Sequence, residues 1–198
     1  MPRAVDAEKK PVLLERILEH LLGETLSTLS FRKLAAALDV STYTLVYHFG
    51  TRTALVREII GAIATRQRGF ERPVAVVGED GLEDYLTTLR TAFVFTLNPR
   101  SLALQRLEFE AQMLEALEPP DTAVTKVVHE GFQNEIREAL LALGMTLDDA
   151  VIESRLLVDT FYGIQVGRVV NRDDSRASAA FERALENHRD RILSLTAA

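Results

Sequence analysis

The chain has 198 residues, 47% apolar and 26% charged, with a formal net charge of −6, enough apolar mass for one large domain or two small ones. It has no cysteine, which removes disulfides, thiol nucleophiles and thiolate metal sites together. No apolar run approaches the ~18–20 residues that span a bilayer, and the opening MPRAVDAEKK lacks the apolar stretch of a signal peptide, so the expected location is the cytoplasm.

Residues 1–10 read as a flexible, mildly basic tail. From Pro11, a favoured first helical residue, Leu14, Ile17, Leu18, Leu21 and Leu22 form a helical stripe that stops near Gly23 to Thr25. Leu34, Ala35 and Leu38 mark a short second helix, and Asp39-Val40-Ser41 interrupts it with a turn residue and an N-cap residue. Leu45 and Phe49 mark a short third helix. Leu55, Ile59, Ile60 and Ile63 run along a longer fourth one toward Arg66–Phe70. Pro73 and Gly78 then bracket ERPVAVVGED, the clearest linker in the chain.

Five further helices follow. Leu82, Leu86, Leu89, Phe93 and Leu97 mark one that ends at Asn98-Pro99, and Leu102, Phe109, Met113 and Leu117 mark the next, closed by Pro119-Pro120. Val124, Val127, Val128, Phe132, Ile136 and Leu140 mark another that ends at Gly144. Asp148 and Asp149, whose charge suits a helix N-terminus, begin a helix carrying Val151, Val158, Phe161, Tyr162 and Val166. The last runs from about Ser175 through Phe181, Leu185, Ile192 and Leu195. About nine helices and no sheet make the fold class all-α. The expected domains are a helix-turn-helix over 11–50 and a helical effector-binding and dimerisation domain over 51–198.

The second and third helices carry the chemistry. Set against each other through a tight turn, they have the geometry that enters a major groove. The third shows Thr42, Tyr43, Thr44, Tyr47 and His48 outward, and hydroxyls, aromatic edges and imidazole can bond base edges and phosphate oxygens. Tyr43 and Thr44 are expected on bases, with Tyr47, His48 and Arg52 on phosphate. Arg32 and Lys33 add positive charge from the second helix.

Val40-Ser41, Thr44-Leu45, His48-Phe49, Arg52 and Leu55 match the pattern V-S-x-x-T-L-x-x-[YH]-F-x-x-[KR]-x-x-L. With the preceding helix, the segment over roughly residues 11–58 resembles the DNA-binding domain of the TetR family of bacterial repressors. Two positions depart from the family. It usually has glycine at Asp39 and a phosphate-gripping tyrosine at Val46. Asp tolerates a positive φ, so the turn is expected to survive. Val46 cannot donate a hydrogen bond, so that phosphate contact is absent or passes to Tyr47.

The acidic balance alone argues against a nucleic-acid binder, but the charge is unevenly placed. Residues 1–72 hold 11 Lys/Arg and 8 Asp/Glu, whereas residues 73–198 hold 12 and 21. Counterion release depends on local positive charge at the contact surface. Arg3, Lys9, Lys10, Arg32, Lys33 and Arg52 can supply it.

No two of the four histidines lie three or four residues apart, and no carboxylate lies three from a histidine, so the sequence offers neither a metal site nor a catalytic pair. No cofactor is expected. Gly163 and Gly167 lie four apart on one helix face. Each interior glycine costs about 1 kcal/mol against alanine, an expense that close packing of another helix offsets. They are expected at a homodimer interface, with packing inside one subunit as the alternative. The resemblance places an effector cavity in the C-terminal half, where Phe93, Phe109, Met113 and Phe132 offer apolar walls and His129 and Tyr162 offer polar anchors.

The resemblance implies a transcriptional regulator, most readily a repressor, that binds a palindromic operator as a homodimer and is released by a small, mostly apolar effector. It implies no enzyme activity and no membrane partner. Two rivals are a DNA-binding dimer with no effector and a small helical enzyme.

Overall fold

The computed structural model describes residues 9–67, 81–116 and 124–197. Nearly all of the expected tail and the whole ERPVAVVGED linker lie outside the described residues. Among the described residues there are nine α-helices and no strand. They are α1 (Lys9–Leu21), α2 (Phe31–Leu38), α3 (Thr42–Phe49), α4 (Arg52–Gln67), α5 (Leu82–Thr96), α6 (Pro99–Glu115), α7 (Val124–Ala142), α8 (Leu147–Asn171) and α9 (Asp174–Thr196).

Caps fix most of these boundaries. Ser30 Oγ accepts the Lys33 N–H to start α2, and Ser41 Oγ accepts the Thr44 N–H at 3.0 Å to start α3. Asn98-Pro99 ends α5 and also begins α6: Asn98 Oδ1 accepts the Ser101 N–H at 2.8 Å, with proline at the first helical position. Thr146 and Asp173 cap α8 and α9 in the same way.

The chain forms two compact units. The first is Met1–Arg66 with Arg106–Thr125, and the second is Gln67–Gln105 with Lys126–Ala198. In the first, α1 packs on α2 and α2 on α3, with Ile17, Leu18, Leu21, Leu34, Leu45, Leu55, Ile59 and Ile63 nearly inaccessible to solvent. In the second, α9 packs along α8 and α5. Its core joins Tyr85, Leu86, Leu89 and Phe93 of α5 with Ile136 and Leu140 of α7, Leu157 and Val158 of α8, and Phe181, Leu185 and Ile192 of α9.

Two faces differ from the expected stripes. On α6 the buried side carries Leu104, Gln105, Leu107, Glu108, Ala111 and Glu115, while Met113 is 67% exposed. On α8 the buried side includes Glu153, Ser154, Gln165 and Arg168, while Val151 and Val166 face solvent. In both helices polar residues share the buried face, so hydropathy alone traced the wrong line.

Candidate nucleic-acid interface

The α2–α3 pair begins with a strained turn. Asp39 closes α2 in the left-handed region at φ 51, ψ 51, its N–H returned to the Ala35 carbonyl. A Cβ-bearing residue normally avoids this region, but the short polar side chain of aspartate tolerates it. The turn therefore survives without glycine.

Leu45 and Phe49 are buried and fix which side of α3 turns inward. The opposite side presents Thr42, Tyr43, Val46 and Tyr47, with Tyr43 76% and Tyr47 51% exposed. The Tyr43 and Tyr47 rings lie 6.3 Å apart, and His48 meets Tyr47 edge-on at 5.3 Å. Thr44 is half-buried, and its hydroxyl lies 2.8 Å from Ser41 Oγ, so its side chain belongs partly to the cap. On α2, Arg32 and Lys33 are exposed, and their side chains make no bond with the described residues. Val46 is exposed between the two tyrosines and offers only carbon.

Arg52 differs from the expectation of a phosphate contact. Its Nε donates to the Leu29 carbonyl and its Nη2 to the Leu26 carbonyl, each at 2.9 Å. Only Nη1 makes no bond with the described residues. The guanidinium thus holds the α1–α2 connection, on which the placement of α2 depends. Lys10 is also engaged, paired with Glu58 at 2.7 Å and lying over the Phe49 ring.

A second grip on that connection comes from α6. Arg106 Nη2 donates to the carbonyls of Leu21 at 3.0 Å and Glu24 at 2.7 Å, just past the end of α1, where the Leu21 carbonyl also accepts the Glu24 N–H at 3.1 Å. Glu110 accepts the Leu26 N–H at 2.7 Å and pairs with Arg106. The only sequence signal was the i, i+4 spacing of Arg106 and Glu110, which is common on solvated helices.

In the second unit, Phe93 stacks on Phe181 with centroids 4.1 Å apart, and Phe161 meets Phe93, Phe132 and Phe181 edge-on at 6.0 to 6.1 Å. Phe93 and Phe132 are thus members of an aromatic core. His129 and Tyr162 do come together, rings 5.0 Å apart, but His129 Nε2 also lies 3.1 Å from Gln133 Nε2 and 3.5 Å from Asp159. Phe109 and Met113 fall in the first unit, and the exposure of Met113 does not match a cavity wall. Tyr85 Oη and His188 Nε2 form a buried hydrogen bond of 2.9 Å; burial raises the phenol pKa and lowers that of His188 to about 4.

On α8, Ile152, Leu156, Gly163, Val166, Gly167 and Val170 fall on one side at about 3.6 residues per turn. The four large residues are 44% to 73% exposed. A Cβ built on Gly163 meets nothing within 4 Å, and one on Gly167 meets only the Asn171 side chain at 4.0 Å.

Among the described residues, no group of three or more His, Asp or Glu could hold a metal ion, and no helix is long and apolar enough to cross a membrane. Neither a family model nor a curated relative matches the chain. Solved structures do. A TetR-family transcriptional regulator from Pectobacterium atrosepticum superposes with a TM-score of 0.67 at 15% identity, covering 100% of this chain and 99% of its own. A TetR transcriptional regulator from Legionella pneumophila gives 0.62 at 16% identity, covering 96% and 97%. A TetR variant from Acinetobacter baumannii, in complex with minocycline, gives 0.55 at 20% identity, covering 96% and 98%.

The chain has the TetR-family fold. The likeness runs the whole length of the chain, beyond the helix-turn-helix segment that the sequence motif marks. Within this TetR-family fold, α2 and α3 are the two helices that the sequence motif marks.

Proposed function

We propose that the chain is a homodimeric, TetR-like transcriptional regulator, a cytoplasmic repressor whose α3 helices read the two halves of a palindromic operator. The observation that carries this reading is the α3 face. Tyr43 and Tyr47 stand out from a short helix whose inward side is locked by Leu45 and Phe49, beside the uncommitted cations Arg32 and Lys33. The tyrosine hydroxyls and ring edges suit a groove of base edges and phosphates. Tyr43 contacts bases with Thr42 and Thr44 beside it, Tyr47 and His48 contact phosphate, and Arg32 and Lys33 neutralise backbone charge. Arg52 positions the turn and contacts phosphate only through Nη1.

The partner for dimerisation is a second copy seated on the α8 face. A bare Gly163 amid exposed Ile152, Leu156, Val166 and Val170 lets another helix approach closely, and it supports the dimer reading over packing within one subunit. The second unit takes a small, mostly apolar effector that lowers operator affinity. For that, the effector must bind the released form better, and a typical coupling of ~1–3 kcal/mol gives about 5- to 150-fold. The rival without an effector draws its support from the Phe93–Phe181 stack, which fills space that a cavity would need.

The test is binding of the purified chain to a pool of genomic duplex fragments across a salt series. Tight, fragment-selective binding that weakens steeply with salt is expected, and Lys33→Ala with Tyr43→Ala abolishes the selectivity. Failure to bind any fragment even at low salt overturns the reading.

A further inference from the structure

Gln165 on α8 is 2% exposed, yet its carbonyl oxygen Oε1 has no hydrogen-bond partner. Turning the amide over does not cure this. Gln165 Nε2 lies 2.9 Å from Thr96 Oγ1, and Thr96 already gives its one hydroxyl proton to the Phe93 carbonyl at 2.6 Å. The threonine oxygen can therefore only accept, so the amide must face it with its N–H. Oε1 is left as the unpaired group in either count. Buried acceptors in folded proteins nearly always find a donor, and leaving one unpaired destabilises the fold.

The surroundings narrow the chemistry of a donor. Phe161 lies one helical turn before Gln165 and Phe93 one turn before Thr96, and those two rings meet edge-on at 6.1 Å. Gln165 thus follows, by one helical turn, a residue of an aromatic cluster. On the other side is Arg168, 1% exposed, its Nε bound to Asp174 Oδ1 at 2.6 Å and its Nη1 to the Thr96 carbonyl at 2.6 Å. The Arg168–Asp174 pair is closed, so it leaves no carboxylate to balance a buried cationic donor. The lone pairs of Oε1 exclude an anion. What remains is a neutral molecule with an O–H or N–H group and an apolar, preferably aromatic, body.

We propose that Gln165 Oε1 is the polar anchor of the effector and accepts a hydrogen bond from a neutral hydroxyl or N–H group, with the aromatic cluster around Phe161 receiving the apolar body. This rests on the effector reading above and specifies its ligand class. It also moves the anchor from His129, whose ring nitrogen already faces Gln133 and Asp159.

The experiment compares a series of 4-alkylphenols with the matching 4-alkylanisoles, in which a methyl group replaces the donated proton. Benzylamine, cationic at neutral pH, serves as a control. Binding is read by calorimetry and by thermal shift on the full chain, for the wild type, Gln165→Leu and Gln165→Met. At least one phenol is expected to bind the wild type about tenfold more tightly than its anisole, a difference equal to one lost hydrogen bond, and benzylamine is expected not to bind. Both variants should lose the phenol preference, while their unliganded melting temperatures stay level or rise, because the unpaired carbonyl is gone. A wild type that binds phenol and anisole alike or binds neither, or a preference that survives in both variants, overturns the anchor. The effector reading fails separately, when compounds that bind the chain leave its operator complex intact.

Discussion

Arg52, the first residue of α4, donates from Nε to the backbone carbonyl of Leu29, just ahead of the Ser30 cap of α2, at 2.9 Å. A cation that spacing alone would assign to DNA is thereby part of the device that sets the α2–α3 pair. Its Nη2 bond to Leu26 meets the grip of Glu110 on the N–H of that same residue. Arg52→Ala is expected to lower stability by roughly 1.5–2 kcal/mol, the low end of the scale for hydrogen bonds from a charged group because Arg52 is exposed. Arg52→Lys should recover little of it, because an ammonium cannot fork between two carbonyls. Denaturant unfolding of the three proteins measures this, and equal stability would return Arg52 to a purely DNA-facing role.

The division of labour proposed for the DNA-facing residues is separable by salt. Lys33→Ala should weaken binding to all sequences alike and reduce the slope of log K against log salt by about one unit. Tyr43→Ala should leave that slope unchanged and alter which sequences are preferred. Titrations of both variants against a duplex library at several salt concentrations decide it. Identical behaviour of the two would remove the distinction between positioning and reading.

The fold was legible in the sequence because the nine helices among the described residues keep their punctuation, and most of them a helical apolar period. The Asp39 turn was legible too, since few residues other than glycine accept its φ. What stayed hidden has one physical cause. Arg52 and Arg106 bind backbone carbonyls, and a carbonyl leaves no mark on the sequence. Gln105, Glu108, Gln165 and Arg168 lie on buried helix faces while reading as polar. On α6 this drew the expected stripe to Met113, on the solvent side. At the candidate interface, the exposed tyrosines of α3 were readable because Leu45 and Phe49 define the inward side.

The α8 face gives a test with opposite signs. Nothing within the chain would meet a Cβ at Gly163, so Gly163→Ala should strengthen the helix within the protomer by up to about 1 kcal/mol. Gly163→Leu should keep the protomer folded while pushing a partner helix away. Light scattering and far-ultraviolet circular dichroism together read both effects. A Gly163→Leu protein that is still dimeric at low micromolar concentration would move the interface off this face.

Stability should fall in mild acid because of His188. Its folded pKa, about 4, lies below the ordinary value of 6.5; burial lowers it and the nearby Glu153 carboxylate partly offsets this. The fold therefore favours the neutral ring. The contribution is complete above pH 6.5 and is lost as the pH falls toward 4. Between pH 7.5 and 5 the loss from this group comes to roughly 2 kcal/mol. The value of about 4 already includes the Glu153 carboxylate, which is itself paired with Arg191 at 2.8 Å, and the neighbouring Tyr85 phenol, raised by burial, stays neutral throughout this interval. His188→Gln should be flatter over that interval in denaturant titrations at fixed protein concentration, and parallel curves for the two proteins would contradict the assignment.

The most direct measurement is selection of bound duplexes from a fully randomised library, followed by footprinting and the mass of the complex. A two-fold symmetric consensus is expected, with half-sites about one helical turn, roughly 34–36 Å, apart or a multiple of that, an even number of protomers per duplex, and loss of the consensus in Tyr43→Ala. An asymmetric or absent consensus, or a single protomer bound per site, would contradict a dimeric regulator that reads DNA through α3.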